Sequence, residues 1–473
     1  MKTKHSKTLG RSLTTRRNGA PILEGVTHSS SFRFIDLFAG IGGFHAALQA
    51  FGGECVYAVE IDEAAAAVYE RNWGKSALGD ITKDANDDGV TVPAHDVLVA
   101  GFPCQPFSKS GNQRGMDETR GTLYWNILKI IQAHHPSIVL LENVRNLAGP
   151  RHAHEWEVIV DTLRAEGYVV ASTPAILSPH LLPPTAGGRP QARERVFITA
   201  TYAPGQSSDG VQPIANPKTE SGWNIEDWDL AKHLPLDASA DDESLKLSVQ
   251  ETMWIDAWDE FVRLIKAATN GERLPGFPIW ADAFVPSSKL RIAAGTPAWK
   301  ADFLTKNAAF YTKHQAIIDP WATKWGLYTD AFPPSRRKLE WQAQDTGTLW
   351  ETILHFRPSG IRAKRPTYVP ALVAITQTSI VGPLKRRLSP RETARLQGLP
   401  EWFDFGDQAD AKTYKQLGNG VNIGVVWQVL KRHVARDASL LSSAAPALYS
   451  AIAAAPESPD GLLKKKAVKH LRG

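Results

Sequence analysis

Cysteine is nearly absent from this chain: 473 residues contain two, Cys55 and Cys104. That scarcity excludes a disulfide scaffold and fits a reducing, cytoplasmic setting. With no CxxC pair, and no partners at ligand spacing around His134-His135 or His152 and His154, no metal site is expected. Long apolar runs are missing too. Nothing approaches the roughly 18 residues of a membrane span, and no secretory pattern opens the chain, so no membrane partner is expected. A GxGxxG fingerprint is also lacking, so a dinucleotide is not required as a ligand. Charge of one sign is not extreme: the net charge of +5 permits a polyanionic partner without demanding one.

What is present is organised around Gly101-Phe-Pro-Cys-Gln-Pro-Phe-Ser108. The apolar run Val97–Ala100 reads as a buried strand, and Pro103 and Pro106 hold the following turn stiff. A thiol fixed there is a nucleophile candidate. Free cysteines are more often small buried hydrophobes, which suits Cys55, inside Cys-Val-Tyr-Ala-Val, better than Cys104 between two prolines.

Upstream, Arg33 to Gly43 is a short apolar strand entering a glycine turn, followed by a helix over 44–51. Glycines there let backbone N–H groups approach a ligand. A second strand, 55–59, ends in Glu60, about 20 residues past the turn, where a carboxylate can accept both ribose hydroxyls. Asp80 stands at another strand end, suited to an exocyclic amine. Taken singly, each acid also reads as a helix cap or a solvated loop residue. The pattern repeats with strand 97–100, a polar glycine-containing loop over 109–121, a helix through Leu123–Ile131, and strand 137–141 leading to Glu142. Alternating strands and helices imply a parallel sheet, whose ligands bind beyond the carboxyl ends of the strands. Asp36, Glu60, Asp80, Cys104 and Glu142 are predicted to share that crevice.

Farther along, Gln191 to Ile198 reads as one strand with Arg193 and Arg195 on one face, either as a solvated edge device or facing a ligand. Trp254, Trp258, Phe261 and Ile265 form a helical stripe, which reads as core. Between Arg336 and Arg365 basic residues interleave with Trp341, Trp350 and Phe356. Such a run is a solvated face or a nucleic-acid surface, and the aromatic interleaving favours the second. Ser389-Pro-Arg-Glu392 reads as a capping box. Residues 1–31, basic and poor in apolar side chains, and 438–473, rich in alanine and lysine, are predicted to be flexible.

The ordered motifs FIDLFAGIGG, GFPCQPFS, RGTLYWNIL, ENV, QARERVF and QLGNGV resemble those of the DNA (cytosine-5)-methyltransferases of bacterial restriction-modification systems. The resemblance implies an α/β fold, a Rossmann-like S-adenosylmethionine-dependent methyltransferase sheet with a second, smaller inserted target-recognition domain. It would place the catalytic and cofactor-binding domain over 32–200, the insertion over 201–385 and a return over 386–437. It implies S-adenosylmethionine held by Phe38, Gly40, Gly42, Glu60, Ile61, Asp80, Ile81, Pro103, Leu123, Asn419 and Val421. Cys104, Glu142, Arg193 and Arg195 would be catalytic. Double-stranded DNA would meet Gln105, Ser108, Ser110 and Arg120, and within the insertion Arg357, Arg362, Lys364 and Arg365.

It further implies a monomer in the bacterial cytoplasm, associated with the nucleoid, with any cognate restriction endonuclease acting separately. Two departures stand out. Asn112 occupies a position where relatives often carry lysine, and the segment 181–190 is longer and less aromatic than usual. Two other functions compete with this one. A catalytically dead binding protein would not need Cys104, Glu142, Arg193 and Arg195 together. An RNA cytosine methyltransferase would not need the long basic, aromatic insertion.

Overall fold

The computed structural model describes residues 30–103, 122–214, 223–237, 242–372 and 378–464. The basic arm up to 29 therefore lies outside the described residues. So do Cys104, Gln105, Ser108, Ser110, Asn112, Arg120 and the rest of the 109–121 loop.

A seven-stranded sheet carries the larger part of the molecule. Its strands are β1 (Phe32–Leu37), β2 (Gly53–Val59), β3 (Val97–Gly101), β4 (Ile138–Val144), β5 (Tyr168–Val170), β6 (Ala175–Leu177) and β8 (Arg195–Tyr202), with β7 (Gln191–Ala192) outside it. The spatial order is β2-β1-β3-β4-β8-β5, and β6 also pairs with β8. β1 to β4 run parallel, whereas β8 is antiparallel to β4, with Arg195 opposite Val144. A strand that starts where its neighbour ends brings its first residues to the carboxyl edge of the parallel strands. That reversal carries Arg195 to the ligand-binding edge of the sheet.

Both faces of the sheet are covered, and the period of two sorts the side chains between them. Phe34, Val97, Val99, Ile138, Leu140 and Phe197 join one core with the helices Gly43–Ala50 and Ile423–Arg436. Ile35, Leu37, Leu98, Ala100, Val139, Leu141 and Ile198 join the other, with the helices Leu123–His134 and Ala153–Ala165. Each fully buried Leu or Ile contributes about 1.5–3 kcal/mol.

A six-stranded sheet forms the second part, in the order β15-β14-β11-β12-β10-β9. Its strands are β9 (Ile279–Trp280), β10 (Lys338–Gln342), β11 (Ile353–Arg357), β12 (Gly360–Lys364), β14 (Ile380–Val381) and β15 (Arg386–Arg387). Separately, β13 (Val369–Pro370) pairs with β7. The predicted stripe on the helix Val249–Ala268 packs here: Trp258, Phe261 and Ile265 meet Trp321, Leu339, Leu354 and Phe356. The opposite face carries Glu340, His355, Arg357, Arg362 and Lys364. At one end of that face Ile353 and Val381 join the large-sheet core, so it abuts the large-sheet part. Arg386 closes the junction with a two-pronged ion pair to buried Glu392, whose capping box with Ser389 forms as its sequence predicts.

Three features differ from the sequence reading. First, residues 438–464 are not a flexible tail: helices Ala438–Ala444, Pro446–Ala453 and Asp460–Leu463 bury Leu441, Leu448, Ile452 and Leu463 in the large-sheet core. Second, Ile214, Leu230 and Leu234 also pack in that core, although they lie in the stretch assigned to the insertion. Third, the strand predicted over 191–198 is broken at Arg193-Glu194. The long connection before it makes short turns at Pro179–Leu181 and Pro184–Ala186, and Arg189 ties it to Asp460 at 2.6 Å.

Candidate active site

The carboxyl edge of β1 to β4 opens into a cavity of about 490 Å³. Its first wall is the glycine turn. Phe38 and Gly40 both take left-handed backbone, φ 56° and 54°, which aims the Gly40 N–H at Oε2 of Glu60, 2.9 Å away. The Asp62 N–H donates to the other oxygen, Oε1, at 2.8 Å. Two backbone donors thus fix the carboxylate while leaving lone pairs toward the cavity. Gly42 (φ 91°) and Val421 lie behind this wall. A Cβ on Gly42 would stand 2.0 Å from Nε1 of Trp73, and Val421 packs against Gly43.

Ile61, Asp80, Ile81, Pro103, Leu123 and Asn419 line the cavity with Phe38, Gly40 and Glu60. Asp80 caps the turn Ile81–Asp84, and the Thr82 hydroxyl and N–H hold its carboxyl below the usual range. Ile61 is 72% exposed, an apolar plate at the rim. Asp36, predicted to reach the crevice, instead lies fully buried inside β1. Burial raises its pKa well above the usual value, partly offset by the His45 N–H.

Deeper in, Glu142 lies within β4, opposite Gly101. Its carboxylate Oε1 meets Nε of Arg195 at 3.0 Å. Burial raises the Glu142 pKa, and the guanidinium groups of Arg195 and Arg193 oppose that rise without cancelling it. Arg193 also lines the cavity, but its guanidinium is taken up by the carbonyls of Leu372, Gly418 and Gly420, at 2.7–2.9 Å. Burial lowers its pKa to about 9. Arg193 thus anchors the C-terminal end of the helix Asp410–Asn419, which carries Asn419. Asn143, next to Glu142, donates to the Phe102 carbonyl at 2.9 Å, steadying the chain just before Pro103. Cys55, the other cysteine, is raised to about 12 by burial, which leaves it an inert thiol.

Sequence reasoning missed the ion pair between Lys415 and Asp62 (3.0 Å), although both residues line the cavity. Asp62, as the N-cap of the helix Glu63–Trp73, had a readable capping signal. Its contact with Lys415 spans most of the chain and had none.

Of the insertion's predicted contact residues, Arg357, Arg362 and Lys364 lie on the second sheet, and Arg365 directly follows β12. Arg362 pairs with Glu340 at 2.9 Å, and Arg357 pairs with the same carboxylate. The Lys364 ammonium sits 3.8 Å over the Tyr368 ring, and Arg365 pairs with Glu226 and Asp345.

The lining fits S-adenosylmethionine. Glu60 and Asp80 supply carboxylates, Phe38, Ile61, Ile81 and Leu123 supply apolar plates, and acidic groups suit a sulfonium cation. Among the described residues no helix is long and apolar enough to cross a membrane, and no three His, Cys, Asp or Glu side chains converge to hold a metal ion.

The profile of the C-5 cytosine-specific DNA methylase family matches residues 32–435. Type II methyltransferase M.AluI of Cellulosimicrobium cellulans is 53% identical over 491 aligned residues, covering 87% of this chain and 94% of that protein. Type II methyltransferase M.HhaI of Haemophilus parahaemolyticus is 43% identical over 397, covering 84% and 92%. Among solved structures, the Dnmt2 methyltransferase of S. pombe aligns over 87% of this chain and 98% of its own, at 18% identity and a TM-score of 0.41. By its profile and these relatives, the chain belongs to the C-5 cytosine-specific DNA methylases.

Proposed function

We propose that this enzyme methylates carbon 5 of a cytosine everted from a specific duplex sequence, through a transient Cys104 adduct, as the modification enzyme of a type II restriction-modification system. The observation that carries this reading is the pair of buried Glu142 and partly buried Arg195, which shares one cavity with Glu60, Asp80 and Pro103, the residue before Cys104.

Carbon 6 cannot be attacked inside a duplex, so the base must leave the stack at a cost of a few kcal/mol. In this mechanism Cys104 adds to carbon 6 as a thiolate. Glu142, kept protonatable by burial, donates to ring nitrogen 3 and receives the exocyclic amine, offsetting the charge that develops on the ring. Arg195 turns its remaining donors to the oxygen at position 2, and Arg193 holds the end of the helix Asp410–Asn419 in place. S-adenosylmethionine, when bound, supplies the methyl group. Phe38, Gly40, Glu60, Ile61, Asp80, Ile81, Leu123 and Asn419 would hold it, with Gly42 and Val421 shaping the turn from behind. Loss of the carbon-5 proton and expulsion of the thiol then restore the enzyme.

Ser108, Ser110 and Arg120 would meet the phosphate backbone near the target, and Gln105 would also contact the DNA. Arg357, Arg362, Lys364 and Arg365 would line the insertion's side of the duplex. The enzyme would act as a monomer on the nucleoid in the cytoplasm, independently of any paired endonuclease. Incubation with labelled S-adenosylmethionine and either duplex DNA or tRNA tests the substrate: label is expected in duplex cytosine, and label in tRNA alone would reject the reading.

A further inference from the structure

Beside the Glu142 cavity lies a second depression of about 500 Å³. The two share Val144 and Arg195, so they meet along one rim. Arg145 stands on that rim. It opens the short turn Arg145–Ala148 directly after β4, which sends its side chain outward from the carboxyl edge of the sheet. Arg145 is 60% exposed and pairs with Glu194, which is 41% exposed. Glu194 belongs to the run that positions Arg195, and its carbonyl accepts from Nη1 of Arg195 at 2.9 Å. Across the depression lies His180, whose ring packs on Tyr368 at 4.9 Å. Tyr368 in turn carries the Lys364 ammonium. A chain of contacts through His180 and Tyr368 therefore links the depression to Lys364 on the second sheet.

We propose that this depression seats a phosphodiester flanking the everted cytosine, with Arg145 as its cation. In the free enzyme Glu194 occupies that guanidinium, and it yields Arg145 when the strand arrives. The inference rests on the eversion reading above. A base lodged against Glu142 and Arg195 leaves its sugar and phosphates at the rim those cavities share. The neighbouring arginines are already committed, Arg195 to Glu142 and Arg193 to three carbonyls. Arg145 presents a fork that matches a phosphate bidentately, and an ion pair this exposed is weakly held. Glu194, once released, is solvated where it stands.

The test uses the full-length enzyme and a duplex carrying the methylated site, located by bisulfite sequencing of DNA treated with wild type. The phosphate 5′ or 3′ of the target cytosine is replaced in turn by an uncharged methylphosphonate. Arg145→Ala is expected to weaken duplex binding roughly tenfold. The slope of log affinity against log salt should fall by about 1, while affinity for S-adenosylmethionine, the check on folding, is unchanged. Arg145→Lys should restore the salt slope, and Glu194→Gln should tighten binding. At one of the two positions the methylphosphonate should weaken wild type but cost Arg145→Ala nothing further, since both changes remove one contact. Additive losses at both positions, or unchanged binding by Arg145→Ala, would overturn the phosphate seat. A wild type that methylates no duplex cytosine would instead overturn the reading beneath it.

Discussion

Nε of Arg195 stands 3.0 Å from Oε1 of Glu142, and burial still raises the carboxyl's pKa against that positive charge. In the proposed mechanism the pair would alternate between an ion pair in the resting site and a neutral acid facing a ring nitrogen.

In the proposed mechanism protonated Glu142 is the acting form, so kcat should fall as pH rises through its pKa. Because burial raises that pKa, the basic limb should lie higher than an exposed glutamate would give. Arg195→Gln removes an opposing charge and should move the limb to higher pH while slowing turnover. Glu142→Gln should cut kcat by roughly 10²–10⁴-fold and abolish the limb. A pH–rate profile with the same basic limb in Glu142→Gln would assign the titration elsewhere.

Gly42 combines φ 91° with Trp73 where a Cβ would sit. Gly42→Ala should destabilise the fold by on the order of 3 kcal/mol. It should also weaken S-adenosylmethionine binding by displacing the turn that orients Glu60. Denaturant unfolding and cofactor titration measure both, and wild-type values for both would contradict the packing argument.

Arg193 is predicted to act by positioning. Arg193→Ala strands the carbonyls of Leu372, Gly418 and Gly420, costing roughly 3 kcal/mol or more. At a temperature where the variant is folded, KM for S-adenosylmethionine should rise more than kcat falls. A loss confined to kcat would place Arg193 on the substrate instead.

His433 is fully buried, and its pKa is lowered to about 3 by burial, helped by Arg436 and opposed by Asp437. The unfolded chain, with a histidine pKa near ~6.5, binds the proton first. Stability is therefore complete above that value and declines as pH falls toward 3, by at most about 1.4 kcal/mol per pH unit. Between pH 7 and 5.5 the loss should be smaller in His433→Asn than in wild type. Equal slopes in denaturant melts would contradict the assignment.

Local signals revealed the alternating strands, the left-handed glycine turn and the acid about 20 residues beyond it, because each is a short-range consequence of backbone geometry. What stayed hidden depends on distant partners. Arg193 and Arg195 look equivalent two residues apart, yet only the fold brings Gly418 and Gly420 to one and Glu142 to the other. The alanine-rich end reads as solvated because Leu441, Leu448 and Ile452 are too sparse to signal a helix face. Their burial becomes possible once the helix Ile423–Arg436 and the sheet offer a surface. The basic run at 357–365 looked like a free cationic surface until β10 placed Glu340 between Arg357 and Arg362.

The central claim is the bond between Cys104 and carbon 6, and trapping tests it most directly. Wild-type enzyme, S-adenosylmethionine and duplex DNA with 5-fluorocytosine at the target should give a denaturation-resistant protein–DNA adduct through Cys104, absent in Cys104→Ser. Methyl transfer by Cys104→Ser at the wild-type rate, with no adduct in either protein, would contradict the account.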